Sequence, residues 1–151
     1  MSGRDLEVEV ALQILKPVNE VFEAIVNPEK MTNYFISKSS GRMMEGRQVT
    51  WRFPEFEEGF PISVIKIEQD KYISYTWEVD GEDLLVEMQL TPVDGDSTLL
   101  TITEKSREND EAGIRWLKSN TSGWANFLAC LKTYLEYGIN LRKGAFNFLK
   151  A

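Results

Sequence analysis

Apolar and polar positions alternate along the first part of the chain. From Leu6 to Ile14 every second residue is apolar, and the residues between them are mostly polar. A period of two is typical of a β-strand that buries one face. The pattern therefore predicts a half-buried strand over these nine residues.

The next segment has a helical period instead. Pro17 is suited to opening a helix because the first turn does not use its missing N–H. Apolar residues recur at helical spacing from Val21 to Val26, and Asn27-Pro28 ends the pattern. We expect one helix up to this pair and a second short helix over Glu29 to Phe35.

Several short runs between Ile36 and Arg107 return to the period of two. Their inward positions are Val49, Trp51, Phe53, Ile65, Ile67, Ile73, Tyr75, Trp77, Leu84, Val86, Met88 and Leu90. Asp80-Gly81 and Asp94-Gly95 lie between runs and tolerate the positive φ angles of tight hairpins. The pattern predicts an antiparallel meander of strands.

After Glu111 the helical period continues to the end of the amphipathic region. The apolar stripe comprises Ile114, Leu117, Thr121, Trp124, Leu128, Leu131 and Leu135. This predicts one long C-terminal helix, with Lys132 and Glu136 pointing away from the core. Gly123 costs an interior helix about 1 kcal/mol relative to Ala, so we expect a bend or fraying there.

These elements together predict the fold class. A strand, two short helices, a curved antiparallel sheet and a long helix make an α+β domain in which the helix lies on the apolar face of the sheet. The 151 residues of the chain are within the range of roughly 100 to 200 residues for one domain. We expect a single domain over residues 1–151.

Composition narrows the functional classes. The net charge of −7 disfavours nucleic acid as a partner, because phosphate binding needs clustered Lys and Arg. No apolar run approaches the roughly 20 residues that membrane insertion requires. The chain has no histidine, which excludes Ser-His and Cys-His nucleophilic pairs and His-ligated zinc. With one cysteine and no secretory signal, we expect a cytoplasmic protein without a metal site or cofactor.

Several motifs in order resemble a known superfamily. They are Pro17 to Ala24, Asn27 to Met31, Tyr34-Phe35, Tyr75-Thr76-Trp77, Thr98 to Glu104, and Gly123-Trp124 followed by Leu128, Leu131, Leu135 and Gly138. This arrangement is similar to the START-like superfamily, which has the helix-grip fold of the birch pollen allergen. Within it, the chain most resembles homologues of the ATPase activator of the ninety-kilodalton heat-shock chaperone.

The resemblance implies a sheet wrapped around the C-terminal helix, often with a cavity between them. Members of the superfamily include ligand carriers, cyclases and chaperone regulators, so the fold does not determine one function. Our first hypothesis is a cavity that binds a hydrophobic or aromatic small molecule. The residues expected to contact it are Trp51, Phe53, Tyr75, Trp77, Met88, Glu104, Trp124 and Leu128. The alternative for the aromatic residues is an ordinary core in which the rings pack against one another.

Glu104 is the most informative polar residue. Strand alternation that turns Leu100 and Ile102 inward carries Glu104 to the same face. Its candidate partners are Tyr75, Trp77 and Trp124, and an enzyme of the cyclase or hydrolase kind would use Glu104 for metal-free proton transfer. The alternative is that Glu104 lies near a strand end and reaches solvent, or pairs with a Lys or Arg.

Two further hypotheses stay open. Glu55, Glu57 and Glu58 stand beside Phe53, Phe56 and Phe60, and these acids form either a rim around an apolar mouth or a solvated loop. The family resemblance also suggests a chaperone as partner, which would require an exposed apolar or charged docking face.

Overall fold

A computed structural model describes residues 5–150, and its elements follow the predicted order. The elements are β1 (Leu6–Ile14), α1 (Val18–Val26), α2 (Pro28–Met31), β2 (Lys38–Ser39), β3 (Gln48–Arg52), β4 (Gly59–Glu68), β5 (Tyr72–Val79), β6 (Glu82–Pro92), β7 (Thr98–Arg107), α3 (Glu111–Tyr137) and a 3₁₀ turn at Asn147–Leu149. The architecture is α+β and is consistent with the helix-grip fold.

The seven strands form one antiparallel sheet in the order β1-β7-β6-β5-β4-β3-β2. Tight turns connect β5 to β6 and β6 to β7, where Asp80, Gly81, Asp94 and Gly95 all have positive φ. Asp and Gly tolerate this conformation better than other residues, which explains why the two pairs separate the strands. The predicted meander is confirmed.

One irregularity in β4 changes which apolar residues face the core. The pairing between β4 and β5 shifts between Val64 and Lys66. A bulge inserts an extra residue and reverses the alternation beyond it. Ile65 is therefore exposed, whereas Ile62 and Val64 are buried. The prediction that Ile65 faces inward is wrong for this reason.

The second helix is shorter than predicted. It ends at Met31 rather than Phe35, because the N–H groups of Tyr34, Phe35 and Ile36 all converge on the Met31 carbonyl and turn the chain out of the helix. The Tyr34 hydroxyl also donates to the Ala24 carbonyl over 2.8 Å. These bonds place the rings of Tyr34 and Phe35 against α3.

Helix α3 is continuous through Gly123, so the helix does not fray there. Asp110 caps its N-terminus with a side chain that accepts a hydrogen bond from the Gly113 N–H over 2.7 Å, and Gly138 caps its C-terminus in the left-handed conformation. In its first turns the buried residues are Gly113 and Trp116 rather than the predicted Ile114, which is exposed. Trp124, Leu128 and Leu131 are buried as predicted.

The last turns of α3 contact strand β1 through polar side chains. Lys132 Nζ donates to the Gln13 carbonyl over 2.9 Å, and Glu136 accepts a bond from the Leu15 N–H over 2.7 Å. Lys132 and Glu136 were expected to point away from the core, and this prediction is wrong, because they bond the backbone at the end of β1. Within the described residues no helix is both long and apolar enough to cross a membrane.

Candidate functional site

The carboxylate of Glu104 is the centre of a buried polar network. Glu104 is 0% exposed, because the alternation along β7 turns it inward with Ile102. Its Oε1 accepts bonds from Trp124 Nε1 and Asn120 Nδ2, both over 2.8 Å, and its Oε2 accepts one from Trp77 Nε1 over 2.9 Å. An ionised carboxylate only accepts hydrogen bonds, at about four positions, so these three N–H donors fill most of its capacity.

This network decides between the alternatives for Glu104. The side chain does not reach solvent, and no Lys or Arg among residues 5–150 forms an ion pair with it. Of its three candidate partners, Trp77 and Trp124 donate to it, whereas the Tyr75 hydroxyl has no hydrogen-bond partner. Both carboxylate oxygens therefore already accept hydrogen bonds from residues of the sheet and of α3.

Two other polar atoms near this network are buried without a partner. Trp51 Nε1 and the Tyr75 hydroxyl make no hydrogen bond, although both residues are almost fully buried. Their rings pack edge to face with centroids 5.3 Å apart. Burial, with a smaller effect from the Glu104 charge, raises the pKa of Tyr75 well above its ordinary value of 10.0. The Tyr75 phenol is therefore neutral at physiological pH.

A pocket of about 300 Å³ opens beside α3. Its lining includes Asn120, Gly123, Trp124 and Phe127 of the helix, Phe53 and Phe56 of the loop between β3 and β4, and Phe60 at the start of β4. The remaining lining residues are Tyr34, Phe35, Glu55, Trp77, Ser119, Asn126, Cys130, Arg142, Phe146 and Leu149. The volume lies at the lower end of the range for small-molecule sites, about 300 to 1,000 Å³.

The predicted contact residues divide into two groups. Phe53, Trp77 and Trp124 line the pocket, and Glu104 lies behind the wall and bonds Trp77 and Trp124. The others fill the space between sheet and helix and do not line the pocket: Trp51, Tyr75, Met88 and Leu128. Contact between any of these residues and a ligand stays a prediction.

An ion pair fastens the chain after α3 across one side of the pocket. Residues 138–150, which we call the C-terminal segment, follow the left-handed turn at Gly138. Arg142 in this segment donates two hydrogen bonds, of 2.8 and 3.1 Å, to the two carboxylate oxygens of Glu55. The guanidinium also lies 5.5 Å from the Phe53 ring centroid and 4.8 Å from that of Phe146. The pair also lines a second, more polar cavity of about 420 Å³.

The acids of the β3–β4 loop thus differ from one another. The Glu55 side chain is 3% exposed and lines the pocket beside the phenylalanines, in agreement with the rim hypothesis. Glu57 and Glu58 are exposed, as a solvated loop predicts. The long-range pair with Arg142, 87 residues away, accounts for the difference.

Gly123 contributes to the pocket through its missing side chain. It lines the pocket, and a Cβ atom added there would meet no atom within 4 Å. The helix therefore has free space at this position instead of a packed neighbour. Gly123, at which we expected a bend, leaves an unfilled space on the surface of the helix.

The sequence patterns did not identify several lining residues. Arg142 and Phe146 lie beyond the last helical repeat, where no periodicity indicates their position, and Asn120 belongs to a polar stretch of the helix. Phe35 contacts Phe53, Trp124 and Phe127 with centroid distances of 5.3, 6.4 and 4.7 Å. The sequence feature that could have identified Phe35 as a lining residue is its place in the Tyr34-Phe35 motif of the family resemblance.

The lining holds one thiol, that of Cys130, among mainly aromatic side chains. Burial raises the pKa of the Cys130 thiol, which lowers the fraction of the nucleophilic thiolate. No group of three potential metal ligands occurs in the described part of the chain. Aromatic rings surround a few polar groups, which is the composition of small-molecule pockets.

Solved structures with the same fold cover most of the chain. Protein SSP2350 from Staphylococcus saprophyticus is 31% identical with a TM-score of 0.79, and the match covers 91% of this chain and 96% of that one. DynU16, a putative protein of the dynemicin biosynthetic locus, is 25% identical with a TM-score of 0.79 over 90% of this chain and 49% of its own. The Aha1 dimer from Colwellia psychrerythraea is 19% identical with a TM-score of 0.76 over 88% and 98%.

A search of curated proteins by sequence found no match. The family model described as "Activator of Hsp90 ATPase homolog 1-like protein" matches residues 16–136, from the residue before Pro17 to the last turn of α3. This range contains the motifs on which the resemblance was based, apart from Gly138. The chain therefore belongs to the family of activator of Hsp90 ATPase homologue 1-like proteins.

Proposed function

We propose that the protein binds a flat, predominantly apolar small molecule in the pocket beside α3. The observation that carries this proposal is an open space of about 300 Å³ whose walls are mainly aromatic. A ring system entering it would contact Phe53, Trp77 and Trp124, three of the residues predicted from the sequence. Removing these faces from water provides the driving force.

The packing of the core supports the flank of the helix as the binding region. Trp51, Tyr75 and Met88 are each at most 1% exposed and fill the space over the centre of the sheet. The walls beside α3 instead include partly exposed residues and the open position at Gly123. A ligand can therefore enter there without displacing the core.

Gly123 allows the proposal to be tested with one substitution. The Gly123→Leu variant directs an isobutyl group into the pocket, and the Ala125→Leu variant adds the same group to an exposed helix position outside the lining. The probe is N-phenyl-1-naphthylamine, a neutral dye that fluoresces in apolar sites. We expect saturable binding to the natural protein and to Ala125→Leu, and loss of binding in Gly123→Leu.

Thermal unfolding supplies the second measurement. A ligand that binds only the folded state at 100 times Kd adds about 2.7 kcal/mol of stability. The melting temperature of the natural protein and of Ala125→Leu should therefore rise with the dye, and that of Gly123→Leu should stay constant. Equal binding by all three proteins, or no saturable binding by the natural protein, would contradict the proposal.

A chaperone-binding function is the second candidate. It is supported by the family match and by exposed apolar side chains around the end of α3 and the C-terminal segment, namely Tyr137, Ile139, Leu141 and Phe148. If this surface binds the ninety-kilodalton chaperone, the protein should change the chaperone ATPase rate, and the variant Ile139→Ser/Phe148→Ser should not. Gly123→Leu should change the ATPase rate as the natural protein does, because Ile139 and Phe148 do not line the pocket that this substitution fills.

An enzyme that uses Glu104 for proton transfer has less support. Such a mechanism needs the carboxyl group to reach a substrate, whereas Glu104 is completely buried and three N–H groups occupy its oxygens.

The single cysteine, which is buried and free, agrees with our proposal that the protein works in the reducing cytoplasm.

A further inference from the structure

One buried carboxylate orients three side chains of the pocket wall. Trp77, Asn120 and Trp124 all line the pocket, and each donates a hydrogen bond to Glu104, which does not line it. The donors come from strand β5 and from two positions of α3 that are one helical turn apart. Glu104 therefore acts as a positioning residue for this end of the pocket.

The network determines which hydrogen-bonding groups remain for a ligand. An indole has one N–H donor, and in both Trp77 and Trp124 that donor is used by Glu104. The Asn120 amide nitrogen donates one of its two N–H groups to Glu104, and its amide oxygen accepts no hydrogen bond from residues 5–150. Asn120 is partly exposed and lines the pocket. Neither indole thus keeps a donor, and the Asn120 carboxamide keeps its acceptor oxygen and one N–H.

The charge of Glu104 also disfavours a negatively charged ligand group near Asn120. The Glu104 charge lies behind the wall in a buried environment, where charges interact more strongly than in water. The only guanidinium that lines the pocket, within the part of the chain described, is Arg142, and both of its terminal nitrogens donate to Glu55. A ligand with a negative group near Asn120 would meet an acceptor and a like charge.

We propose that Glu104, by orienting Asn120, makes the pocket selective for flat aromatic ligands that carry a hydroxyl or amino donor, and against ligands with a carboxylate at that position. This inference rests on the proposed binding function. It specifies the ligand class: aromatic alcohols and amines instead of aromatic or fatty acids.

Four naphthalene derivatives of similar size test the selectivity. They are naphthalene, 2-naphthol with a donor, 2-methoxynaphthalene with an acceptor only, and 2-naphthoate with a negative charge at neutral pH. Isothermal titration calorimetry gives the affinity of each. We expect 2-naphthol to bind about tenfold more tightly than 2-methoxynaphthalene, which corresponds to about 1.4 kcal/mol, and 2-naphthoate to bind most weakly.

Two asparagine variants assign the effect to one residue. In Asn120→Ala the preference for 2-naphthol should fall below about threefold, with the affinity for naphthalene retained. Asn19→Ala is the matched control, because Asn19 is an exposed residue of helix α1 that does not line the pocket. This control should keep the full preference.

Glu104→Gln tests the positioning role by removing the charge. It should narrow the gap between 2-naphthol and 2-naphthoate, an effect that a merely structural role would not produce. If this variant does not fold, the asparagine variants still decide the question. Binding of naphthalene without a preference for 2-naphthol, or a preference kept in Asn120→Ala, would overturn this inference alone. Failure of all four compounds to bind would overturn the proposed function as well.

Discussion

Trp124 of helix α3 donates its indole N–H to Glu104 of strand β7 over 2.8 Å. The same carboxylate bonds Trp77 of the sheet and Asn120 of the helix. One acid thus connects the sheet to two positions of α3. Burying a carboxylate is costly unless its hydrogen bonds are satisfied, and here three donors satisfy it.

Replacing Glu104 tests this balance. In Glu104→Gln one carboxylate oxygen becomes an NH₂ group that faces an N–H donor, so at least one indole loses its acceptor. Leaving a buried donor unpaired costs about 1 to 3 kcal/mol, and we expect the free energy of unfolding to fall by that amount. Urea unfolding followed by tryptophan emission measures it.

Glu78→Gln is the matched control for this substitution. Glu78 is an exposed acid on β5, and its change should stay within about 0.5 kcal/mol. Equal stability of Glu104→Gln and the natural protein would show that the desolvation of the charge offsets the gain from its three donors.

Two buried tyrosines provide a matched pair with opposite expectations. The Tyr34 hydroxyl donates to the Ala24 carbonyl, whereas the Tyr75 hydroxyl has no partner. We expect Tyr34→Phe to cost about 1 kcal/mol through the lost bond. Tyr75→Phe should be neutral or stabilising, because it removes a desolvated polar group that gains nothing in return.

Thermal and urea unfolding of both tyrosine variants check this expectation. A loss of more than about 1 kcal/mol in Tyr75→Phe would mean that the hydroxyl has a partner, such as a buried water. Burial raises the pKa of both tyrosines well above 10.0, so the comparison is independent of pH across the neutral range.

Two glycines of α3 are predicted to respond in opposite ways to alanine. At Gly123 an added Cβ meets nothing within 4 Å, and the variant should gain about 0.5 to 1 kcal/mol from the higher helix propensity of alanine. At Gly113 the Cβ would lie 2.0 Å from the Glu108 carbonyl oxygen, a backbone atom. Gly113→Ala should therefore lose about 1 to 3 kcal/mol. Melting temperatures that change in the same direction would contradict this reasoning.

The spacing of apolar residues predicted which face of most strands is buried. The alternation in β1 and β7 identified their inward faces, including the inward direction of Glu104, because the side-chain period of a strand is fixed by its geometry. The pattern failed at Ile65, because a bulge is a property of the pairing between two strands and leaves no signal in one of them.

The candidate site was only partly predictable for a related reason. Trp77 and Trp124 belong to periodic elements, and their inward direction follows from sequence. Arg142 reaches the pocket through a pair with Glu55, 87 residues earlier, after a left-handed turn at Gly138. Such a contact depends on the completed fold, so no pattern in the last residues reveals it.

The pair between Arg142 and Glu55 predicts a local effect. In Arg142→Met an unbranched apolar side chain replaces the guanidinium beside the Phe53 and Phe146 rings, and Glu55 loses its partner. A buried carboxylate without a partner is unfavourable, and the C-terminal segment can leave its position so that Glu55 becomes hydrated. We expect local undocking of this segment instead of global unfolding.

Hydrogen exchange measured by mass spectrometry distinguishes the two outcomes. In Arg142→Met, protection of amides in residues 142–149 should fall by tenfold or more, with the sheet amides unchanged. The double variant Glu55→Gln/Arg142→Met should recover part of the protection, because no charge is then left unpaired. Uniform loss of protection throughout the chain would contradict a local role.

The bonds of Glu136 predict a dependence of stability on pH. Burial alone would raise the pKa of this carboxyl group, but the Leu15 N–H and the Lys132 ammonium outweigh it and lower the pKa below its ordinary value of 4.5. A group whose pKa is lower in the folded state stabilises the fold above its unfolded pKa, and this stabilisation is lost as the pH falls through the folded value.

Glu136→Gln should therefore be less stable than the natural protein at pH 7, by about 1 kcal/mol. The difference should shrink as the pH falls below about 4.5. Urea unfolding between pH 3 and pH 7 measures it, with Glu9→Gln, an exposed acid on β1, as control. A difference that grows in acid would mean that Glu136 is bound more tightly in its protonated form.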